Sequence, residues 1–206
     1  MDVRGTKMVR LRMKIAPVVA VVLCVSGFSA ASVGAQTFSA GIEAGGGVST
    51  ISPTPEGETV AYGPGLLAGV YASYPLFPAV GVQIEADYVQ KHTRVTTAGT
   101  DSTLNLDYFE IPVLAKLPLF KGIYILEGIA FGFPVNAAVK SSSDAEIDIK
   151  DTTTSPDLGL IIGVVFPAGK LGVEGRYAIG FKSIDATGIS AVRNRSLFVV
   201  VRIPLR

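Results

Sequence analysis

Tryptophan is absent from the 206 residues, cysteine and histidine occur once each, and charged side chains make up only 17% of the chain. One cysteine excludes a disulfide framework and a thiolate metal cluster, and a single histidine leaves scattered carboxylates as the remaining metal ligands. No metal or cofactor site is therefore expected. The charged fraction lies below the roughly 25% of soluble domains while 49% of residues are hydrophobic, which excludes a disordered chain and predicts one domain. A sustained helical period is also missing. What is plentiful is glycine (23) and proline (12), punctuating short runs, and this tilts the class to all-β.

The first 35 residues differ in kind. Arg4, Lys7, Arg10, Arg12 and Lys14 form a basic segment, residues 15–25 an apolar run of 11, and Val33-Gly34-Ala35 supplies small residues before Gln36. This is the pattern of a secretory signal peptide cleaved after Ala35; the apolar run is short of the roughly 20 residues a spanning helix needs. Cys24 leaves with the leader. So do five of the 18 basic and one of the 17 acidic residues, leaving 13 against 16, a balance that excludes nucleic acid as a partner.

In the remaining chain, 36–206, eight segments read as strands: 38–48, 65–74, 80–90, 104–117, 123–135, 158–166, 171–181 and 196–205. At 9 to 14 residues they exceed the roughly 5 to 6 of soluble sheets and match the roughly 9 to 11 that cross a bilayer. Connections alternate between short (75–79, 118–122, 167–170) and long (49–64, 91–103, 136–157, 182–195). Strict alternation places like connections on one rim of an up-and-down barrel, and the expected fold is an eight-stranded antiparallel transmembrane β-barrel with short periplasmic turns, extracellular loops and periplasmic termini.

Period-two patterning gives each strand two faces. Val80, Val82, Ile84, Ala86 and Tyr88 oppose Gly81, Gln83, Glu85 and Asp87; Leu171, Val173, Tyr177, Ile179 and Phe181 oppose Gly172, Glu174, Arg176, Ala178 and Gly180. Small residues mixed with both signs of charge suit the cramped interior of a narrow barrel, which assigns Glu43, Glu85, Asp87, Glu174, Arg176 and Arg202 to a lumen network; Glu110, Lys116 and Glu127 lie on less regular strands. Aromatic girdles are expected from Tyr74, Phe77, Phe120 and Phe166 near the short turns and from Tyr62, Tyr88, Tyr108 and Phe181 near the long loops.

The segment Leu106-Asp107-Tyr108-Phe109-Glu110-Ile111-Pro112-Val113-Leu114-Ala115-Lys116 resembles the L-x-Y-x-E-I-P-x-L-x-K signature of PorT-like outer-membrane barrels, often labelled porin-family proteins. Its matching residues include Tyr108, Glu110, Ile111, Pro112 and Lys116. Pro156-Asp157-Leu158-Gly159 and Asn194-Arg195-Ser196-Leu197 also look like the family, and the resemblance covers nearly all of the chain after the leader. It departs at Ile203-Pro204-Leu205-Arg206, where such barrels commonly finish on an aromatic residue. Because Glu110 interrupts the apolar series Leu104, Leu106, Tyr108, a bulge is expected between Tyr108 and Pro112, and the signature reads as structural.

The function expected is that of a non-enzymatic, monomeric surface protein of the outer membrane, with outer-membrane lipid and the barrel-assembly machinery as partners and an unidentified ligand for its loops. A narrow solute pore and a soluble lipocalin-like periplasmic carrier with its apolar face inside are the alternatives. His92, with Asp101 and Ser102 in the same expected loop, has the residue types of a hydrolytic triad but no further element to orient it.

Overall fold

The computed structural model describes residues 38–77, 80–142, 146–188 and 191–205. The leader expected over residues 1–35 lies outside them, as do Pro78 and Ala79 of the first short turn. Among the described residues the strands are β1 (Ser39–Ser52), β2 (Glu58–Phe77), β3 (Val80–Thr97), β4 (Thr100–Phe120), β5 (Ile123–Ser141), β6 (Glu146–Asp148), β7 (Asp157–Ala168), β8 (Leu171–Gly180) and β9 (Arg193–Leu205). Eight of them follow one another antiparallel around a ring, β1-β2-β3-β4-β5-β7-β8-β9, and β9 returns to β1 over thirteen partnered positions from Ala40↔Leu205 to Ser52↔Arg193. The short β6 pairs only with the end of β5. Ring closure gives each of the eight strands a neighbour on both sides, the condition for a sheet to sit in hydrocarbon.

All eight expected strands are present, but several run further at the long-loop end. The segment 91–103 is not a loop: β3 and β4 stay in register from Lys91↔Leu106 to Thr97↔Thr100 and are joined by Ala98 and Gly99. Both turn residues have positive φ, 48° and 80°, the requirement of a tight type I′ hairpin, and Lys121 (42°) and Gly122 (83°) repeat it between β4 and β5. The chain between β1 and β2 narrows likewise to residues 53–57. Genuine irregular chain remains after β5, where a 3₁₀ turn (Lys150–Thr152) follows β6, and after β8.

The polar face does point inward. Glu43, Glu85, Asp87, Glu174, Arg176 and Arg202 are buried, while Ile42, Val70, Ile84, Val113, Ile162, Tyr177, Val199 and Val201 are exposed on the outer wall. On β3 the outward series is apolar from Val80 to Tyr88 and then changes to Gln90, His92 and Arg94. At about 3.3 Å per residue and a tilt near 40° this apolar stretch is about 23 Å tall, close to the band of a transmembrane barrel. A lipocalin-like carrier needs the opposite orientation, and that alternative falls here.

Three expectations are corrected. Tyr108 has no exposed surface and cannot belong to an outer girdle, and Tyr62, though exposed, lies past a register shift opposite the inward Thr93, whereas Tyr74, Phe77, Tyr88, Phe120, Phe166 and Phe181 are all exposed. Glu110 does not break the alternation, because Leu104, Leu106 and Tyr108 also face the interior; the irregularity nearest to it is a shift between Asp107↔Asn136 and Tyr108↔Pro134, which places the extra residue, Val135, on β5. Glu127 shares the outward face of Ile125 and Ile129 and is half-buried against the wall rather than in the lumen.

Ile84 occupies the middle of the apolar band. Ile84→Arg is expected to lower the folding free energy in lipid vesicles by about 2–4 kcal/mol, and Gln90→Arg, beyond the band, by about 0–1 kcal/mol. Urea titrations of the vesicle-refolded chain, read by heat-dependent gel mobility, check this; equal costs at the two positions would refute the placement of the band.

Candidate functional site: a filled lumen beneath an apolar mouth

The inward residues of β3 can be read as four tiers: Gln83, Glu85 and Asp87, then Val89, then Lys91, then Thr93 and Val95. Neighbouring strands supply side chains of matching character. In the lowest tier, two guanidiniums are shared among four carboxylates. Arg202 Nη2 lies 2.9 Å from Glu43 Oε2, 2.7 Å from Glu85 Oε1 and 2.6 Å from Glu174 Oε2. Arg176 Nη2 is 2.8 Å from Glu85 Oε2, its Nε donates to Glu174 Oε1 at 2.8 Å, and Nη1 reaches Asp87 Oδ2 at 3.4 Å. Gln83 Nε2 donates to Glu85 Oε1 at 2.6 Å. The planar, always-charged fork of arginine suits this multiple sharing, for which a lysine ammonium would be a poor substitute.

Glycines make the space. A methyl group at Gly69 would overlap Asp87 Oδ1, and one at Gly163 would overlap Glu174 Oε1. Above the ions, Leu67, Val89, Phe198 and Val200 form an apolar belt on the β2, β3 and β9 side; Leu114, Leu126, Ala130, Ile161 and Val165 form another on the β4, β5 and β7 side, where Leu114 lies opposite Gln83 and Val165 opposite Glu174.

A second polar tier lies over the belts. Lys91 Nζ donates to Glu110 Oε1 and sits 5.0 Å from the centroid of the Tyr108 ring. Asn194 Nδ2 donates to Tyr108 Oη at 3.1 Å and to Asp157 Oδ2 at 2.9 Å. All five side chains are buried. The three sequence segments that carry the family resemblance therefore meet at one point. Within the main signature, Leu106, Tyr108, Glu110, Pro112, Leu114 and Lys116 all take inward positions on β4, and Ile111 faces the other way. Lys116 Nζ stands 4.3 Å from the Tyr124 ring centroid at the short-turn end.

The uppermost tier is apolar again: Ile51, Leu106, Tyr108, Ala137 and Ile184 are packed together, with Leu104, Ile149 and Val192 against them. The chain after β6 and the chain after β8 fold into this mouth, held by bonds from Ile149 N to Ala137 O (2.9 Å), Thr154 N to Ile184 O (2.7 Å) and Ala186 N to Thr152 O (2.8 Å). Between them and the tall inner wall of β3, β4 and β5 is a cavity of about 370 Å³.

His92, Asp101 and Ser102 are not brought together. His92 Nε2 is 3.1 Å from Asp107 Oδ1, Asn136 Nδ2 donates to that aspartate's Oδ2 at 3.3 Å, and Asp101 Oδ1 accepts from Thr96 Oγ1 at 2.7 Å. His92 thus belongs to a polar group on the outer wall just beyond Tyr88. Glu43, Glu85 and Asp87 bring carboxylate oxygens within 4.8 Å of one another, and the guanidiniums of Arg176 and Arg202 already lie against that oxygen set. The sequence reading missed Lys91, Asp157 and Asn194 as lumen residues. Extending the period-two series of β3 past Asp87 to Val89 and Lys91 would have placed the lysine inward; the partners of Asp157 and Asn194 lie on other strands.

A closed antiparallel ring with an apolar outer band and an ion-paired interior defines a small β-barrel of the bacterial outer membrane. The chain belongs to the outer membrane protein beta-barrel domain family, whose model matches residues 34–186. The PorT-like label is narrower than this match. Among solved structures, it is similar to Neisserial surface protein A (18% identity, 82% of this chain and 98% of that one, TM-score 0.50). It is also similar to Ail, the attachment invasion locus protein of Yersinia pestis (15% identity, 82% and 100%, TM-score 0.49), and to OprG of Pseudomonas aeruginosa (12%, 81% and 91%, TM-score 0.41). At these identities the first likeness speaks for the fold alone. No curated protein matches the sequence.

Removing one partner from a buried ion cluster leaves the others uncompensated. Arg202→Ala is expected to cost about 3–5 kcal/mol by leaving four buried carboxylates with the single guanidinium of Arg176, and Asn194→Ala about 1–3 kcal/mol by leaving Tyr108 Oη and Asp157 without their donor. Gly69→Val should cost about 1–3 kcal/mol by overpacking against Asp87. Urea midpoints of the folded, heat-modifiable form measure all three; midpoints unchanged by Arg202→Ala would mean the lower tier contributes nothing to stability.

Proposed function

We propose that the protein is a non-conducting, non-enzymatic anchor that presents the mouth and the tall β2–β5 wall at the cell surface. The observation that carries this is the filling of the lumen: Glu43, Arg176 and Arg202 below, Phe198 and Val200 between, and Tyr108, Glu110 and Asn194 above are all at most 6% exposed. An eight-stranded interior is just wide enough for side chains to fill, and aqueous channels belong to barrels of about 16 strands or more. A solute would have to displace two polar tiers whose members are bonded to one another. Short turns are periplasmic in outer-membrane barrels, so the opposite end, with its strand extensions, is the outward one and both chain ends fall on the periplasmic side. This reading includes export through the leader at residues 1–35 and folding by the barrel-assembly machinery as a monomer.

The purified full chain in planar bilayers is expected to give no steady current steps above the lipid background. Discrete ohmic steps would overturn the anchor reading in favour of a narrow pore. As an independent check on chemistry, His92→Ala is expected to leave the lipid composition of the envelope unchanged, because the His92 ring pairs with Asp107 and the one serine hydroxyl bonded to this residue among the described residues, that of Ser49, donates to its backbone carbonyl.

A further inference from the structure

The mouth cavity has a composition that selects for a particular ligand chemistry. Its floor and walls are apolar, with Ile51, Leu104, Ile149 and Ile184 among them, and its polar lining includes two carboxylates, Glu58 and Asp185, and, among the described residues, no lysine, arginine or histidine. The volume of about 370 Å³ falls at the lower end of the roughly 300–1,000 Å³ of small-molecule pockets, which favour barrel mouths and join an apolar lining to a few placed polar groups. Asp185 is engaged: its Oδ1 accepts from Thr187 N at 2.8 Å, which caps the turn after β8. Glu58, at the start of β2, is half-buried and makes no ion pair among the described residues. Its carboxylate beside a low-dielectric wall attracts a cation more strongly than it would in open water.

We propose that this cavity binds a small amphipathic cation, an ammonium group on an apolar body of roughly phenylalkyl size, with the body against Leu104, Ile149 and Ile184 and the ammonium at Glu58. Apolar burial supplies affinity and Glu58 supplies the sign of the charge preferred. Anionic amphiphiles of the same body are disfavoured, since the described lining offers them two carboxylates and no cation. The assignment rests on the mouth facing outward as read above, but binding and conduction are measured separately, so a conducting barrel would leave the ligand test intact.

Isothermal titration calorimetry on the full chain in nanodiscs, with empty nanodiscs as the blank, tests it with 4-phenylbutylammonium, 4-phenylbutanol and 4-phenylbutyrate. The ammonium is expected to bind saturably and about tenfold or more tighter than the carboxylate, with the alcohol between them. Glu58→Gln should reduce that preference to about threefold or less while keeping the alcohol's affinity. Ile184→Trp, which fills the cavity, should abolish saturable binding in a barrel whose heat-dependent mobility shows it folded. Absence of saturable heat beyond empty nanodiscs, equal affinities for the three probes, or a charge preference unaltered by Glu58→Gln would each overturn the proposal.

Discussion

Hydrocarbon offers no hydrogen bonds, so every backbone amide in a membrane-spanning sheet must find its partner within the protein. In this chain that constraint is met by the pairing of β1 with β9, without which two edges would lie open to lipid. Closure with only eight strands then fixes the interior to a width that side chains must fill. From this follow the glycines that face the lumen, the alternation of small and charged residues, and the need for each inward charge to meet an opposite one within reach.

The polar tiers do more than fill space. Arg202 on β9 contacts carboxylates on β1, β3 and β8, and Asn194 on the same strand bonds to β4 and β7. A slip of one residue in β9 would turn both toward lipid and bring Leu197, Val199 and Val201 inside. The apolar face alone sets which side of a strand meets lipid but discriminates poorly between registers two residues apart. Shared guanidiniums discriminate well, because their geometry is lost at any other offset. The ion network thereby specifies strand register across non-adjacent strands, where backbone pairing acts only between neighbours.

The spanning part of the barrel was legible because lipid imposes strict alternation there. Period two sorts Val80 to Tyr88, Leu171 to Phe181 and the six lumen charges into two faces, and the mixture of small residues with both signs of charge says which face is the lumen. Beyond the band the outer face becomes polar, and the alternation fades in Thr- and Ser-rich stretches such as Thr93 to Thr103, so the sequence there resembles a loop although the chain is strand. The Ala98-Gly99 turn contributed to this, since alanine is a weak signal for a left-handed position. Tyr108 misled for a different reason: an aromatic residue near a membrane interface suits an outer girdle as readily as a plug, and only its bond to Asn194, 86 residues away, decides between them. Which charges pair, and which wall a cavity occupies, depend on contacts between strands distant in sequence.

These commitments leave little of the molecule free to meet a ligand. The outer band from Val80 to Tyr88 and its neighbours is given to lipid, and the lumen polar groups are largely bonded to one another. At the mouth the lower constraints relax. There the wall rises past the band, the chain after β5 and after β8 crosses over it, and a cavity persists although apolar side chains surround it. Packing in the rest of the lumen is dense enough that a methyl group at Gly69 or Gly163 would meet an ion-paired carboxylate. The crossing segments that border this space are bonded to each other and to β5, which fixes Ile149 and Ile184 where they pack beside Leu104 and Leu106 of β4. The same bonds give the cavity a fixed shape before any ligand arrives, and a preformed apolar wall beside Glu58 requires less ordering on binding than a flexible loop would.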